Sequence, residues 1–374
     1  MISSLIGKLF AASALALAVV SCGPITERFD FEENRAAPEL VSVKSPRWDS
    51  GKTLERIAFG SCAGQEQDQS IWNTVRAASP QAFLFMGDNV YGDVTSPDMR
   101  ELVDAYNTLA DSRPFAQFAK DVPILAVWDD HDFGRNDAGA EFEYRERSEA
   151  IFLDFWNVGQ DDERRQREGI YQSFMAGPEQ SRVQIIMLDT RSFRSPLKKT
   201  DERNAPGKER YLPDPDPGKT MLGEAQWRWL ETELQKPAKV RLLVSSIQVI
   251  ADGHGWERWG NLPLERQRLY DTIKRSGAKG VVLLSGDRHL SAMYAYDTDM
   301  PYPLYEITAS SLNRPIGDRA RGEAGPYRLQ EVFTEANFGT LDIDWETGVL
   351  SFQINDQGGK TEQRLDLRLE ELNG

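Results

Sequence analysis

Two of the chain's three histidines sit in acidic turns that directly follow apolar runs, Asp129-Asp130-His131-Asp132 and Gly286-Asp287-Arg288-His289. Two further runs end in groups that bind metals: Ile57 to Phe59 leads into Gly60-Ser61-Cys62, and Ala82 to Met86 leads into Gly87-Asp88-Asn89-Val90-Tyr91. If these runs are strands of an open α/β sheet, their carboxyl ends lie on one edge, and groups far apart in sequence converge there. Soft, anionic ligands suit a transition metal such as ferric iron, whereas carboxylate and amide oxygens suit calcium or magnesium, so a two-metal centre follows. Coordination to a trivalent ion lets Tyr91 and Cys62 bind deprotonated near neutral pH.

Each turn has its own logic. Asp88, directly after a strand, can bridge two metals with its two oxygens, and Tyr91 lies three residues on. Alone, Gly-Asp-x-x-Tyr equally fits an ordinary turn with a packed tyrosine. Trp128 to Asp132, followed by Asn136-Asp137, crowds carboxylates, an amide and an imidazole together. Such groups repel or resist desolvation unless cations neutralise them, and a solvated acidic turn is the plain alternative. Asp287 and His289 are two apart, so on an extended tip both face one side. His254, within Asp252 to Trp259, is expected on a substrate-facing loop, and Arg191, after Leu188-Asp189-Thr190, is expected to hold a phosphate oxygen in its planar fork. A pairing of Arg191 with Asp189 or a neighbouring acid is the competing reading.

The elements that must position these groups alternate along the chain. Strands are expected at Arg56 to Phe59, Ala82 to Met86, Pro123 to Trp128, Val183 to Leu188, Val240 to Ser245 and Gly280 to Leu284. Helices are expected at Ser70 to Ala78, Asp98 to Ala110, Glu143 to Trp156, Gly223 to Leu234 and Leu264 to Ser276. Strands separated by helices imply helix-covered sheets, hence an α/β fold. Ser195 to Thr220, rich in Pro, Lys, Arg and Asp, reads as a long surface loop, and Gly339 to Trp345 with Val349 to Asn355 reads as a C-terminal β-hairpin. A formal charge of −15 argues against a nucleic-acid surface.

The first residues read as a targeting segment. Lys8 precedes an apolar stretch from Leu9 to Val20, then Val19-Val20-Ser21-Cys22, a pattern that resembles the lipobox of bacterial lipoproteins. On this reading residues 1–21 are a signal peptide, Cys22 is lipidated, residues 22–52 are a tether and residues 53–374 form one domain. The protein would be exported and lipid-anchored, facing the periplasm or cell exterior, and is expected to be a monomer. Cys62 is then the one remaining thiol, so no internal disulfide forms.

Together the blocks Phe59 to Cys62, Gly87 to Tyr91, Trp128 to Asp132 and Ser285 to His289, with Leu188-Asp189-Thr190-Arg191, resemble the alkaline phosphatase D (PhoD-like) family of metallophosphatases over roughly residues 53 to 356. The resemblance implies a double β-sheet sandwich flanked by helices, and one ferric iron with one or two calcium ions. Carried over by motif, Cys62, Tyr91 and His289 are iron ligands with Asp88 bridging, and Asp130, Asn136 and Asp287 are calcium-side ligands. His131 corresponds to the histidine that related phosphoesterases keep near the leaving group. The expected function is hydrolysis of phosphate esters by in-line attack of a metal-bound hydroxide. The loops at 195 to 220 and 252 to 261 are expected to decide between monoesters and diesters. The alternative from another class is a non-catalytic surface lipoprotein that binds calcium.

Overall fold

The apolar runs expected as strands are strands, because they are too short for buried helices and are punctuated by glycine and acidic turns. A computed structural model describes residues 38–320, 323 and 325–373. Along the chain come β1 (Arg56–Gly60), α1 (Ile71–Ala77), β2 (Phe83–Met86), α2 (Arg100–Asp111), α3 (Arg113–Asp121), β3 (Ile124–Val127), the one-turn α4 (Asp130–Phe133) and α5 (Arg145–Phe155). Then follow β4 (Gln172–Ala176), β5 (Val183–Met187), α6 (Gly223–Leu234), β6 (Val240–Val244), α7 (Pro263–Ser276), β7 (Val281–Ser285), β8 (Ser291–Tyr296) and β9 (Leu304–Ala309). The chain closes on β10 (Asn337–Asp344), β11 (Val349–Asp356) and β12 (Thr361–Arg368).

Two six-stranded mixed sheets result, in the orders β12-β11-β10-β1-β2-β3 and β4-β5-β6-β7-β9-β8. In the first, β1, β2 and β3 run parallel, with α1 and the α2–α3 pair as crossovers, and β10 joins β1 antiparallel. In the second, β5, β6, β7 and β9 run parallel. All residues of β5, β6 and β7 are buried, as strands covered on both faces must be. One hydrophobic core joins both sheets, including Phe59, Phe85, Ile186, Leu243, Leu284 and Leu341. The architecture is thus an α/β fold of two mixed sheets flanked by helices. The expected hairpin is the β10–β11 pair, which β12 extends to a three-stranded antiparallel edge.

The described part of the expected tether, residues 38–52, has no helix or strand but lies along the body. Val43 is buried and its N–H donates to Phe155 O (2.7 Å), while Trp48 Nε1 donates to Met175 O (2.9 Å). The packed body therefore takes in residues before the expected boundary at 53. The expected signal peptide and Cys22 lie outside the described residues. Among those described, no helix is long and apolar enough to cross a membrane.

Two glycines let the sheets meet at their tips. A Cβ on Gly87, whose φ is +97°, would lie 2.5 Å from Asp129 Cβ and 3.0 Å from Ser246 Cβ. One on Gly286 would lie 2.5 Å from Ser61 Oγ and 2.9 Å from Met86 O. The ends of β1, β2, β3, β6 and β7 are thereby pressed into one edge.

Candidate metal centre

That edge gathers the motif residues. Cys62, Asp88, Asp287 and His289 all have positive φ, at 60°, 48°, 66° and 55°. For non-glycine residues this left-handed conformation costs roughly 1–2 kcal/mol each. Four strained candidate ligands at three strand ends mark a place where side-chain direction outweighs backbone comfort.

The first cluster is Cys62, Asp88, Tyr91 and His289. Cys62 Sγ lies 3.5 Å from Asp88 Oδ2, Tyr91 OH donates to the same oxygen at 3.1 Å, and His289 Nε2 lies 3.2 Å from Tyr91 OH. Cys62, Asp88 and His289 offer ligand atoms within 4.8 Å of one another. The other imidazole nitrogen, Nδ1, bonds the carbonyl of Arg314, which fixes the ring and leaves Nε2 toward the cluster. Ser310 Oγ donates to Cys62 Sγ at 3.1 Å.

The second cluster surrounds Asp130. Its Oδ2 accepts from Asn136 Nδ2 (3.0 Å) and from the N–H of Asp137 (2.6 Å). Asp130 reaches within 4.8 Å of Asp88 and His131 on one side and of Asp129 and Asp287 on the other. Asp88 therefore belongs to both clusters. The motif residues Asp88, Asp130, His131, Asn136, Asp287 and His289 line one cavity of about 140 Å³.

Without cations these groups cannot all ionise. Burial pushes the Cys62 thiol up to about 11, and burial with the neighbouring Cys62 and Asp130 holds Asp88 well above the carboxylate range. Tyr91 and Asp287 are raised by burial and neighbouring acids, whereas burial and the Arg314 charge lower His289 to about 4, keeping it a neutral donor. Burial also opposes ionisation of Asp130, but the charges of His131 and Arg191 outweigh it and hold its pKa low. Asp130 Oδ1 and Asp129 Oδ2 are buried without a hydrogen-bond partner among the described residues. Orphaned oxygens beside a thiol, a phenol and a neutral imidazole fit a pair of cations, one softer and one harder.

His131 is different in kind. Burial alone would lower its pKa, but Asp130, Asp88 and Asp93 outweigh that and raise it to about 10. Nδ1 pairs with Asp93 Oδ2 at 2.6 Å, and the ring packs on Tyr91 with centroids 4.4 Å apart. In the metal-free chain His131 thus carries a proton beside the cavity.

Two expected site residues stand elsewhere. Arg191 is fully buried and does not line the cavity; its Nε donates to Asp129 Oδ1 (2.7 Å) and its Nη1 to Glu257 Oε1 (3.0 Å). A guanidinium saturated by two buried carboxylates braces the acidic wall from behind and is not presented to a phosphate. His254 is buried as well, its Nε2 3.2 Å from Gln248 Oε1 and its Nδ1 accepting from Trp256 N (3.2 Å). It shapes the loop and does not line the cavity. Asp132 serves the backbone, accepting from the N–H groups of Asp129 (2.6 Å), Asp88 (3.2 Å) and Asn89 (3.1 Å).

The cations that do reach the cavity are Arg210 and Arg288, whose guanidiniums lie 5.1 and 5.5 Å from the Trp256 ring centroid. Arg288 stands inside the Gly-Asp-Arg-His turn, and Arg210 and Trp256 lie in the two loops expected to shape specificity. Their loops were legible; which side chain turns inward depends on tertiary pairing, with Arg210 held by Asp137 (2.5 Å) and Arg288 by Glu323 (2.7 Å).

With the geometry in place, comparison with known proteins places the chain beside a family and several relatives. A family model described as PhoD-like phosphatase matches residues 57–353. The alkaline phosphatase D of Bacillus subtilis (strain 168) is 23% identical over 288 residues, covering 63% of this chain and 46% of that protein. The chain thus spans about half the length of this curated relative. A solved structure of PhoD superposes with a TM-score of 0.63 at 16% identity, covering 86% of this chain and 73% of that one. A structure of GAP50, described as the anchor in the inner membrane complex of Plasmodium, gives a TM-score of 0.53 at 14% identity, covering 85% of this chain and 89% of that one. At these identities the two structures speak for the fold.

Proposed function

The chain belongs to the PhoD-like phosphatase family, and we propose that it is a metal-dependent hydrolase of phosphate esters. The observation that carries this reading is the shared Asp88, which joins a thiol, phenol and imidazole cluster to a carboxylate and amide cluster in one cavity. On this reading Cys62, Tyr91 and His289 hold ferric iron, Asp88 is shared, and Asp130, Asn136 and Asp287 hold calcium. When bound, the two cations supply Lewis acidity toward water and charge neutralisation at the phosphoryl oxygens.

The remaining work falls to the chain itself. Asp93 holds His131 with its Nδ1 proton engaged, leaving Nε2 free to give a proton to the departing alcohol. Arg210 and Arg288, anchored on Asp137 and Glu323 and packed about Trp256, orient a phosphate oxygen at the cavity mouth. Arg191 keeps the Asp129 and Glu257 carboxylates in place. No serine or cysteine beside a free base is needed as nucleophile. The targeting pattern at Cys22 supports export and a lipid anchor on a bacterial membrane, with the catalytic body held outside the cytoplasm.

The test is turnover of p-nitrophenyl phosphate and bis(p-nitrophenyl) phosphate by the protein loaded with iron and calcium. Release of p-nitrophenol from either ester supports the reading, and their ratio sets monoester against diester. A folded protein that binds calcium and cleaves neither would favour the non-catalytic lipoprotein instead.

A further inference from the structure

The cavity that gathers the candidate ligands is only about 140 Å³. On the reading above it also holds the cations, so it takes the scissile phosphoryl group and the rest of an ester extends beyond it. A second cavity, of about 420 Å³, abuts the first, sharing Asn136, Asp137 and Arg210 and adding Lys199, Arg203 and Tyr211.

Its wall is pinned. Thr200 N donates to Arg210 O (2.9 Å), Leu212 N donates to Lys198 O (2.9 Å), and Lys199 opposes Tyr211 in an antiparallel bridge. Tyr211 OH and Arg210 Nη1 both donate to Asp137 Oδ2, at 2.9 and 2.5 Å, which ties this hairpin to the Asn136-Asp137 turn. The neighbouring cations are committed: Arg210 to Asp137 and Lys208 to Asp201 (2.9 Å). Among the described residues, no carboxylate pairs with Lys199 or Arg203, and both are exposed at the cavity. In a chain of formal charge −15, two uncommitted cations beside the cavity of the candidate centre are a selective feature.

We propose that this second cavity is an anion subsite. The substrate is a phosphate ester whose organic part carries a further phosphate, as in a nucleoside or sugar bisphosphate. The scissile group sits in the small cavity and the second phosphate between Lys199 and Arg203. The inference rests on the phosphoesterase reading.

The experiment titrates the metal-loaded full chain calorimetrically with a nucleoside 3′,5′-bisphosphate and with the corresponding 5′-monophosphate, and follows phosphate release from both. The bisphosphate is expected to bind about tenfold more tightly through two charge-assisted contacts, with the advantage shrinking as salt rises. Lys199→Ala combined with Arg203→Ala should bring the two ligands to parity, Lys199→Arg alone should keep the preference, and the difference in turnover should sit in KM. Equal affinities in the unaltered protein, or a preference that survives the double substitution, overturns the proposal. The calorimetric comparison decides it even if neither compound is hydrolysed, an outcome that counts against the phosphoesterase reading alone.

Discussion

On the proposed reading His131, held by Asp93, gives the leaving group its proton, and the choice of leaving group isolates that role. An alkoxide needs a proton to depart, whereas p-nitrophenolate does not. His131→Ala should therefore lower kcat on an alkyl phosphate by about 10²–10⁴-fold and on p-nitrophenyl phosphate far less. Equal losses on both esters would mean that His131 only shapes the site. Asp93→Asn should show the same leaving-group dependence in weaker form, since it removes the partner at Nδ1 and leaves the imidazole in place. Cys62 makes a separate prediction. Cys62→Ala removes the one described thiol, so elemental analysis should find iron lost with most of the calcium retained. Unchanged iron content would take Cys62 out of the ligand set.

The elements around the centre act as a frame, and Arg191 is the clearest case. Its charge is buried between Asp129 and Glu257 with no exposed side-chain surface. Removing one partner of such a network leaves uncompensated buried charge, so Arg191→Met should destabilise the protein by about 3–5 kcal/mol, read from chemical denaturation of the metal-free form. A loss below about 1 kcal/mol, typical of exposed pairs, would contradict the bracing role. The same residue marks where sequence reasoning stops. The apolar runs gave β1, β2, β3, β5, β6 and β7 to within two residues, because buried parallel strands write near-continuous hydrophobic runs. Their acidic and cysteine tips were legible because a polar group straight after such a run sits at the sheet edge. By contrast, α3, the one-turn α4, β4, β8, β9 and β12 were missed. The sequence Arg113–Asp121 adjoins α2 with only Ser112 between, β8 is a short run of serine, alanine, methionine and tyrosine without a strong apolar stretch, and β12 intersperses charged residues with buried ones. Arg191 and His254 misled for another reason. Residue type shows that a side chain can bind phosphate or move a proton, but only its buried neighbours show whether it is free to.

At the scale of the whole molecule, buried carboxylates in and beyond the centre set how stability depends on pH. Burial moves Asp129 from 3.8 up to about 7 and Glu149 from 4.5 up to about 7. In the folded chain each keeps its proton across a range where the unfolded chain has released it. The fold then binds more protons, so stability of the metal-free protein falls as pH rises from about 4 to about 7. Its melting temperature should drop over that range, and Glu149→Gln should flatten part of the drop without touching the centre. A melting temperature that rises instead would place these carboxylates outside the account. Metal loading should reverse the trend, because cations bind the deprotonated ligands, release protons and gain affinity as pH rises.

The central claim is that this strand-tip centre, loaded with metal, cleaves phosphate esters. The most direct test strips the protein with chelator and titrates iron and calcium back while recording p-nitrophenyl ester turnover. The account predicts no turnover in the stripped protein, recovery that saturates when the centre is filled, and no recovery in Asp88→Asn, which breaks the residue common to both clusters. Turnover that persists undiminished after stripping, or a filled centre that cleaves nothing, would contradict it.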